Sequence, residues 1–558
     1  METVEVILAM LVAVIASGYL GRLLPVPVPL PLIQIALGAV ISGGLKHGVA
    51  LDPEIFFLLF LPPLLFVDGW RIPKVGLFRD KATILELALG LVVFTVVGAG
   101  FLLHWMIPAM PLAVAFALAA IVAPTDPVAV SSITARVPMP PRLMHILEGE
   151  SLLNDASGLV CFRFAVAAAV TGHFSLAQAG LTFLWVALAG IAAGIAITFG
   201  ITRLHGILQR RFGEDDGVPI LINLLTPFGA YLVAERINAS GILAAVAAGI
   251  TMSYMELSGA ATARTRIRRD VVWDALQFTL NGIMFVLLGE QLPEIARGAL
   301  HPAGGHPFDP WWLASRALAF SLGLVLLRFA WVWISLQLTI LNRRRLGQDV
   351  FKPKLRLMLA TSVAGVRGAL TMAGIMTLPL ALPDGSPFPA RHLAIFLASS
   401  VILVSLLLAS AALPALLRGL TMPEEPEAKC SEEDARHAAT LAAIAALEKA
   451  QKADGTDGTD DADGRDSKQE DDAERARHAK AVEHVLRLYR HRLQATDVAN
   501  GNGDAPAQKQ TERVYRMLAL NAERDTILRL ARRMDVSDET ARRMLRQIDL
   551  LEARYQQD

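Results

Sequence analysis

The feature that most constrains the fold is a succession of apolar segments long enough to cross a lipid bilayer. A helix needs about 20 mostly apolar residues to span the hydrocarbon core, and on that rule the chain has about 13 such segments. They lie near residues 4–23, 27–44, 51–68, 82–105, 111–134, 142–170, 175–202, 218–236, 240–257, 271–292, 311–341, 355–380 and 392–418. With 54% hydrophobic and 19% charged residues, the 558-residue chain is too apolar for a soluble protein. The sequence therefore predicts an all-α polytopic membrane protein.

The loops between these segments predict its orientation in the membrane. Lys and Arg concentrate on the cytoplasmic side of membrane proteins, and here they concentrate in every second loop. The members are Arg22; Arg71, Lys74, Arg79 and Lys81; Arg136 and Arg142; Arg203, Arg210 and Arg211; Arg264, Arg266, Arg268 and Arg269; and Arg343, Arg344, Arg345, Lys352 and Lys354. This alternation predicts a multi-pass protein of the inner membrane, with its N-terminus outside and its C-terminal tail in the cytoplasm. Residues 1–5 lack a basic residue, which argues against a cleaved signal peptide.

The chain changes character after Arg418, which predicts a membrane domain over residues 1–420 and a soluble tail over 421–558. The tail holds about 29 acidic and 23 basic side chains, a net charge of about −6. Helical patterns lie near 431–452, 474–496 and 508–557, separated in part by an acidic linker at 453–473, and Ser537 is a candidate helix N-cap. We expect the tail to regulate the protein or stabilise an oligomer; the alternative is a solvated appendage. Its ligand or partner is unknown.

The acidic linker contains a partial match to a calcium-binding loop. Four of its residues, Asp461, Asp463, Gly464 and Glu470, have the required spacing. Thr459 occupies the first ligand position and Asp466 the position that is usually apolar, so a plain linker is the favoured interpretation.

A carboxylate lies inside the fifth apolar segment, between two prolines. Pro124 and Pro127 bracket Thr125 and Asp126. Proline removes a backbone donor and clashes with the preceding turn, so the helix should break here and free backbone carbonyl groups at membrane depth. Transporters use such broken helices to line ion sites. The alternative is a simple kink in which a neighbour satisfies Asp126, but a kink does not require a costly intramembrane carboxylate.

The sixth segment carries a second, denser group of polar residues. Glu148, Glu150, Ser151, Asn154 and Asp155 fall within roughly two helical turns. Ser151 and Asp155 share one face of the helix, and Glu150 and Asn154 share another. Oxygen ligands suit a hard cation, and a desolvated aspartate can hold a proton and give it up to a cation. The alternative is a structural polar network between helices.

Three arginines inside apolar segments are candidate counter-charges. Arg367 lies among small residues that permit close helix packing, and we expect it to pair with Glu150. Arg163 and Arg328 are further intramembrane bases whose partners the sequence does not identify. Asp68, near the end of the third segment, borders either the cavity or the membrane interface. Glu235, Asn281 and Glu290 are candidates of the same rank.

The sequence contains no pattern typical of an enzyme. No phosphate-binding glycine loop, zinc motif or nucleophile triad stands out, and Cys161 and Cys430 are too few for a disulfide framework or a zinc site. We therefore expect no enzymatic activity, no cofactor and no nucleic-acid partner.

Four elements together resemble the sodium/proton exchangers of the monovalent cation/proton antiporter superfamily. They are Leu61-Pro62-Pro63, Thr125-Asp126-Pro127, the run from Glu150 to Asp155, and Gly365-Val366-Arg367-Gly368. The resemblance covers roughly residues 1–420 and implies a homodimer with a dimerisation subdomain and a mobile core subdomain. It implies Asp155 as the cation and proton carrier, with Asp126, Thr125, Ser151 and Asn154 around the site, and Glu150 paired with Arg367.

The resemblance also implies an exchange stoichiometry and shows one departure. The pair Asn154-Asp155, where electrogenic relatives carry two aspartates, implies electroneutral exchange of one proton for one cation. Many relatives carry an acid directly after the Leu-Pro-Pro-x-x-Phe run, whereas here Val67 stands in that position and Asp68 follows.

Together these observations predict a sodium/proton antiporter of the cell membrane that works by alternating access and serves pH homeostasis. Asp155, Asp126 and Ser151 would hold the monovalent cation. Potassium or lithium could replace sodium as the main ion. The rival from another class is an ion-binding membrane receptor that signals through its tail.

Overall fold

The described chain is almost entirely helical. A computed structural model describes residues 2–24, 28–44, 53–72, 84–134, 139–171, 176–212, 217–256, 263–300, 309–345, 355–382, 385–418, 420, 432–456, 478–490, 506–533 and 535–557. The helices of the apolar region are α1 (Glu2–Leu23), α2 (Leu30–Gly44), α3 (Pro53–Arg71), α4 (Val92–Met106), α5 (Leu112–Val122), α6 (Pro127–Thr134), α7 (Pro141–Thr171), α8 (Leu176–Phe212), α9 (Val218–Arg236), α10 (Gly241–Glu256), α11 (Ala263–Leu300), α12 (Pro310–Arg345), α13 (Leu355–Val363), α14 (Ala369–Met376) and α15 (Arg391–Leu417). Those of the tail are α16 (Glu432–Thr456), α17 (478–490), α18 (Pro506–Arg532) and α19 (Asp538–Gln557).

Each of the predicted apolar segments overlaps one helix or one broken pair of helices. Eight helices among the described residues are long and apolar enough to cross a membrane, and α5 with α6 makes a ninth if the bent pair is one span. The all-helical polytopic fold is therefore confirmed in outline. The number of 13 crossings stays a prediction.

The fifth predicted segment breaks where its prolines stand. Helix α5 ends at Val122 and α6 begins at Pro127, with a bend of 45° between them. Proline is well placed at the first position of α6, because its fixed φ suits a helix and its missing N–H would have no partner there. The twelfth segment breaks as well, with residues 364–368 between α13 and α14.

Helix α4 is preceded directly by one π-helical turn, Glu86–Leu91. Such turns are found mostly inside helices, often near functional sites. This turn packs against α7, where the Ser157 hydroxyl donates to the Ala88 carbonyl at 2.8 Å. The sequence pattern did not predict it.

The chain divides into two compact units. The first consists of Met1–Ile72, Gly76–Ser253 and Val272–Pro423; the second consists of Pro73–Val75, Tyr254–Val271 and Glu424–Asp558. The C-terminal end of α10 and the N-terminal part of α11 therefore group with the tail. The sequence had predicted a plain division near residue 420.

Within the first unit the helices pack as two bundles. The site bundle consists of α4, α5, α6, α7, α12, α13, α14 and α15, and the flanking bundle consists of α1, α2, α3, α8, α9, α10 and α11 as far as they lie in this unit. Helices α2 and α11 of the flanking bundle touch backbone to backbone. A Cβ at Gly38 would lie 1.9 Å from the Val286 carbonyl oxygen, and one at Gly289 would lie 1.9 Å from that of Ile35. Contacts this close require glycine at both positions, because any side chain would meet the backbone of the other helix.

The second unit has its own apolar cores. One includes Leu447, Val485 and Ala519, and another includes Ile527 and Met544. The predicted N-cap is confirmed, since the Thr540 amide donates to the Ser537 hydroxyl at 3.1 Å just before α19. The calcium-like residues of the linker, from Thr459 to Glu470, lie outside the described residues.

A buried ion cluster joins the start of α11 to the tail helices of this unit. Arg266 and Arg524 both contact the Asp549 carboxylate, at 2.5 and 3.2 Å, and Arg524 also contacts Glu552. Burial and the neighbouring Arg266 lower the pKa of the Arg524 guanidinium from its usual value.

Candidate ion-binding site

The two helix breaks of the site bundle cross each other. The Asp126 amide donates to the Val366 carbonyl at 2.7 Å, and Arg367 Nε donates to the Val122 carbonyl at 2.9 Å. Each break thus satisfies backbone groups that the other leaves without helical partners.

Charged side chains complete the crossing. Arg367 lies at the C-terminal end of α5, where free carbonyl groups carry partial negative charge, and it also contacts the Gly365 carbonyl. Asp126 Oδ1 accepts the amides of Val128 at 2.8 Å and Ala129 at 3.3 Å, which caps the N-terminus of α6. Asp126 packs tightly, because a Cβ at Gly368 would lie 1.7 Å from its Oδ2.

Glu150 pairs with Arg328, so the predicted pairing with Arg367 is wrong. Arg328 NH1 and NH2 donate to the two Glu150 oxygens at 2.6 and 2.7 Å, in the bidentate arrangement that is strongest for this pair. Glu150 is 0% and Arg328 2% exposed. Arg367 is instead engaged by the carbonyl groups of the breaks. Arg328, for which the sequence offered no partner, supplies the counter-charge.

Thr125 and Asn154 extend the surroundings of Glu150. The Thr125 hydroxyl donates to Glu150 Oε1 at 3.2 Å and accepts from Asn154 Nδ2 at 3.1 Å. Asn154 Nδ2 also lies 3.4 Å from Glu150 Oε1, while Asn154 Oδ1 is buried with no hydrogen-bond partner among the described residues. Asn154 therefore belongs to the Glu150 network and does not line the cavity described next.

Asp155 lies at a small cavity between the two bundles. The cavity has a volume of about 50 Å³ and brings Asp155 together with Asp126, Thr125 and Ser151 of the site bundle. Asp155 is 9% exposed, and within the described ranges its carboxylate makes no hydrogen bond or ion pair. The Ser151 hydroxyl donates to the Thr125 carbonyl at 2.7 Å, which leaves its oxygen lone pairs available.

A second cavity of about 400 Å³ continues from the first toward exposed residues such as Asp274 and Ser131. Both cavities are lined by Asp68, Pro127, Val128, Ser151, Gln277 and Asn281. Asp68 therefore borders the cavity, as one of its two predicted placements had it.

Gln277 and Arg71 orient Asp68, and the sequence indicated no part for either of them at the ion site. Arg71 NH1 donates to Gln277 Oε1 at 3.0 Å, and Gln277 Nε2 lies 3.4 Å from Asp68 Oδ1. Because arginine can only donate, the Gln277 oxygen must face Arg71 and its amide nitrogen must face Asp68. Arg71 also pairs with Asp274 at 2.6 Å. The signal that the sequence does contain is Gln277 itself, a polar residue in an apolar helix, one turn before Asn281.

Arg163 and Glu290 lie away from this cavity. Arg163 pairs with Glu235 at 2.9 Å, which gives both residues a partner that the sequence did not predict. Glu290 is buried in α11 and lines neither cavity.

The matches to known proteins agree with this architecture. The solved structure of the sodium proton antiporter MjNhaP1 from Methanocaldococcus jannaschii superimposes with a TM-score of 0.58 at 18% identity. The match covers 75% of this chain and 99% of that one. At this identity the likeness establishes the fold.

Sequence relatives reach higher identity. An antiporter of Bacillus pumilus, named for sodium, potassium, lithium and rubidium/H(+) exchange, is 45% identical over 420 residues, which cover 75% of this chain and 61% of the relative. An uncharacterized Na(+)/H(+) exchanger of Escherichia coli, YjcE, is 38% identical over 558 residues and 99% of both chains. Residues 7–419 match the family model for the transmembrane part of sodium/hydrogen exchangers. The chain belongs to the sodium/hydrogen exchanger family, within the monovalent cation/proton antiporter superfamily.

Proposed function

We propose that the protein exchanges a monovalent cation for a proton, with Asp155 as the carrier of both. The observation that carries the proposal is the contrast inside α7: Glu150 is neutralised by Arg328, whereas Asp155 has no counter-charge among the described residues. A buried carboxylate without a partner is stabilised either by a proton or by a cation. Each must leave before the other binds, which couples the two movements.

The cation ligands are Asp155, Asp126 and Ser151. All three line the small cavity and present oxygen atoms, the donors that a hard cation prefers. Thr125 and Asn154 support these ligands from the Glu150 network. Of the three carboxylates that line the small cavity, Asp155 is the one without a hydrogen bond or ion pair within the described residues, which supports the exchange of one proton for one cation without net charge movement. No cofactor takes part.

Sodium is the first choice of ion and potassium the second. Relatives named as sodium/proton exchangers support sodium, and the name of the Bacillus pumilus relative includes potassium, lithium and rubidium. These names also favour transport over the receptor alternative, in which the tail would signal.

The division into two bundles supports transport by alternating access. The cavities lie at their boundary, with Asp155 and Asp126 on the site bundle and Asp68 and Gln277 on the flanking bundle. A movement of one bundle against the other would close the wide cavity and open a path on the opposite side. We further propose about 13 crossings of the inner membrane, an external N-terminus, a cytoplasmic tail and a homodimer. With that orientation the wide cavity, which ends near Arg71, faces the cytoplasm.

The test is exchange in proteoliposomes. A pH gradient is imposed, sodium and then potassium is added, and a dye reports the internal pH. We expect cation-dependent proton movement in the native protein, none in Asp155→Asn, and native movement in the matched control Asp309→Asn, whose carboxylate is exposed and lies outside both cavities. Exchange that persists in folded Asp155→Asn would refute the proposal.

A further inference from the structure

The ion pair between Arg163 and Glu235 joins the two bundles. Arg163 belongs to α7 of the site bundle, and Glu235 lies in the last turn of α9 of the flanking bundle. Their charged groups are 2.9 Å apart, with side chains 49% and 33% exposed.

The pair lies on the side of Asp155 opposite the wide cavity. The residues of α7 that line this cavity are Met144, Glu148, Ser151 and Leu152, all before Asp155 in the chain. Arg163 follows Asp155 by two helical turns, about 12 Å along the helix axis. A second contact between the bundles supports this assignment. A Cβ at Gly298, beyond the cavity-lining part of α11, would lie 2.9 Å from His392 of α15. The bundles are therefore in contact on the side of Asp155 that lies away from the wide cavity.

Glu235 is fixed within the flanking bundle. Its Oε1 also accepts the Gly241 amide at 3.3 Å, at the N-terminus of α10, and the Ser240 amide donates to the Val186 carbonyl of α8 at 3.0 Å. These hydrogen bonds fix the position of the Glu235 carboxylate within the flanking bundle. Arg163, in contrast, extends from the helix that carries Glu150, Ser151 and Asp155.

We propose that the Arg163–Glu235 ion pair is a latch that holds the bundles together on the closed side while the wide cavity is open. The latch must separate when the site turns to the opposite side, and it re-forms when the cavity opens again. The inference rests on the proposed alternating-access exchange, since it assigns the pair to one of the two states that such exchange requires.

The strength of the pair suits a contact that breaks in every cycle. An ion pair between partly exposed groups shifts an equilibrium by roughly two- to fivefold. The Glu150–Arg328 pair, in contrast, is fully buried. Separating it would leave two uncompensated buried charges, so we expect this pair to persist through the cycle.

The test measures the two states directly. Spin labels on Ser131→Cys of α6 and Phe278→Cys of α11, both at the wide cavity, report the distance across its mouth in a Cys161→Ser, Cys430→Ser background. We expect Arg163→Gln to lower the ratio of long to short distances roughly two- to fivefold, and Arg163→Glu to lower it further. Glu235→Gln, whose amide oxygen can still accept the Gly241 amide, should lower the ratio by about the same factor as Arg163→Gln. Arg490→Gln is the control, because it removes a similarly exposed 2.8 Å ion pair of the tail and should leave the ratio unchanged.

An unchanged ratio in Arg163→Gln and Arg163→Glu would overturn the latch, and so would an unchanged ratio in Glu235→Gln. These distances do not depend on transport. Exchange by the native protein in proteoliposomes is measured separately. If the Arg163 variants change the distance ratio but the native protein shows no exchange, the proposed function is refuted and the latch stands.

Discussion

The surroundings of Glu150 and of Asp155 differ although the two acids lie on the same helix, about 7.5 Å apart along its axis. Glu150 has a bidentate partner in Arg328 and two further donors in Thr125 and Asn154. Asp155 faces a cavity and, within the described residues, has no such partner. For the carrier role that we propose for Asp155, burial of the carboxylate is therefore not sufficient. A carrier also needs to be without a permanent counter-charge, so that a proton and a cation can replace each other.

The largest effect should come from breaking the Glu150–Arg328 pair. Glu150→Gln leaves a buried guanidinium uncompensated, which typically costs about 3–5 kcal/mol, and the thermal unfolding temperature of the purified protein should fall sharply. Adding Arg328→Gln should recover part of that loss. Asp155→Asn, the matched acid-to-amide change, should alter stability by less than about 1 kcal/mol. Equal unfolding temperatures for Glu150→Gln and Asp155→Asn would contradict the comparison.

The next effect should come from Gly368→Ala. The added methyl group would overlap the Asp126 carboxylate, and relieving such a clash costs about 1–3 kcal/mol. Because Asp126 would have to leave its position at the cavity, we expect exchange to fall at least tenfold in the proteoliposome assay. Gly200→Ala is the control and should transport normally, because within the described residues the added methyl group would meet no atom within 4 Å beyond the backbone of its own helix and its chain neighbours. Normal exchange in Gly368→Ala would show that the position of Asp126 does not matter.

A smaller effect should follow from Asn154→Ala. The change removes the hydrogen bonds to Thr125 and Glu150, each worth about 0.5–1.5 kcal/mol. We expect lower stability with exchange reduced only severalfold, because Asn154 does not line the cavity. Complete loss of exchange in a stable Asn154→Ala variant would instead make Asn154 an ion ligand.

The smallest effect should come from Asp68→Asn. Asp68 lies where the wide cavity meets the small one, and removing its charge weakens the attraction of cations toward Asp155. We expect the sodium concentration for half-maximal exchange to rise by roughly two- to fivefold, with the maximal rate nearly unchanged. Loss of the maximal rate would place Asp68 among the carriers.

Much of the fold could be predicted because its signals are local. Apolar length predicted the helices, the pair Pro124 and Pro127 predicted the break around Asp126, and Ser537 predicted the start of α19. The π-helical turn at Glu86–Leu91 had no such signal, because five of its six residues are ordinary helix formers and a single glycine, Gly90, does not by itself indicate a π turn.

The pairing of charges could not be predicted, because it joins distant segments. Glu150 and Arg328 are 178 residues apart, and no periodic pattern reports that contact. The helical spacing of Glu150 and Asn154 did predict that they share a face. What it could not show was that Arg328 covers that face, which removes Asn154 from the cavity.

The most direct measurement is the number of protons released when a cation binds. Sodium is titrated into the purified protein in a calorimeter, in two buffers that differ in their heat of protonation. We expect sodium binding to the native protein to release about one proton, and we expect neither binding nor release in Asp155→Asn. Sodium binding without proton release, or equal release from Asp155→Asn, would contradict the claim that one unpaired carboxylate carries both ions.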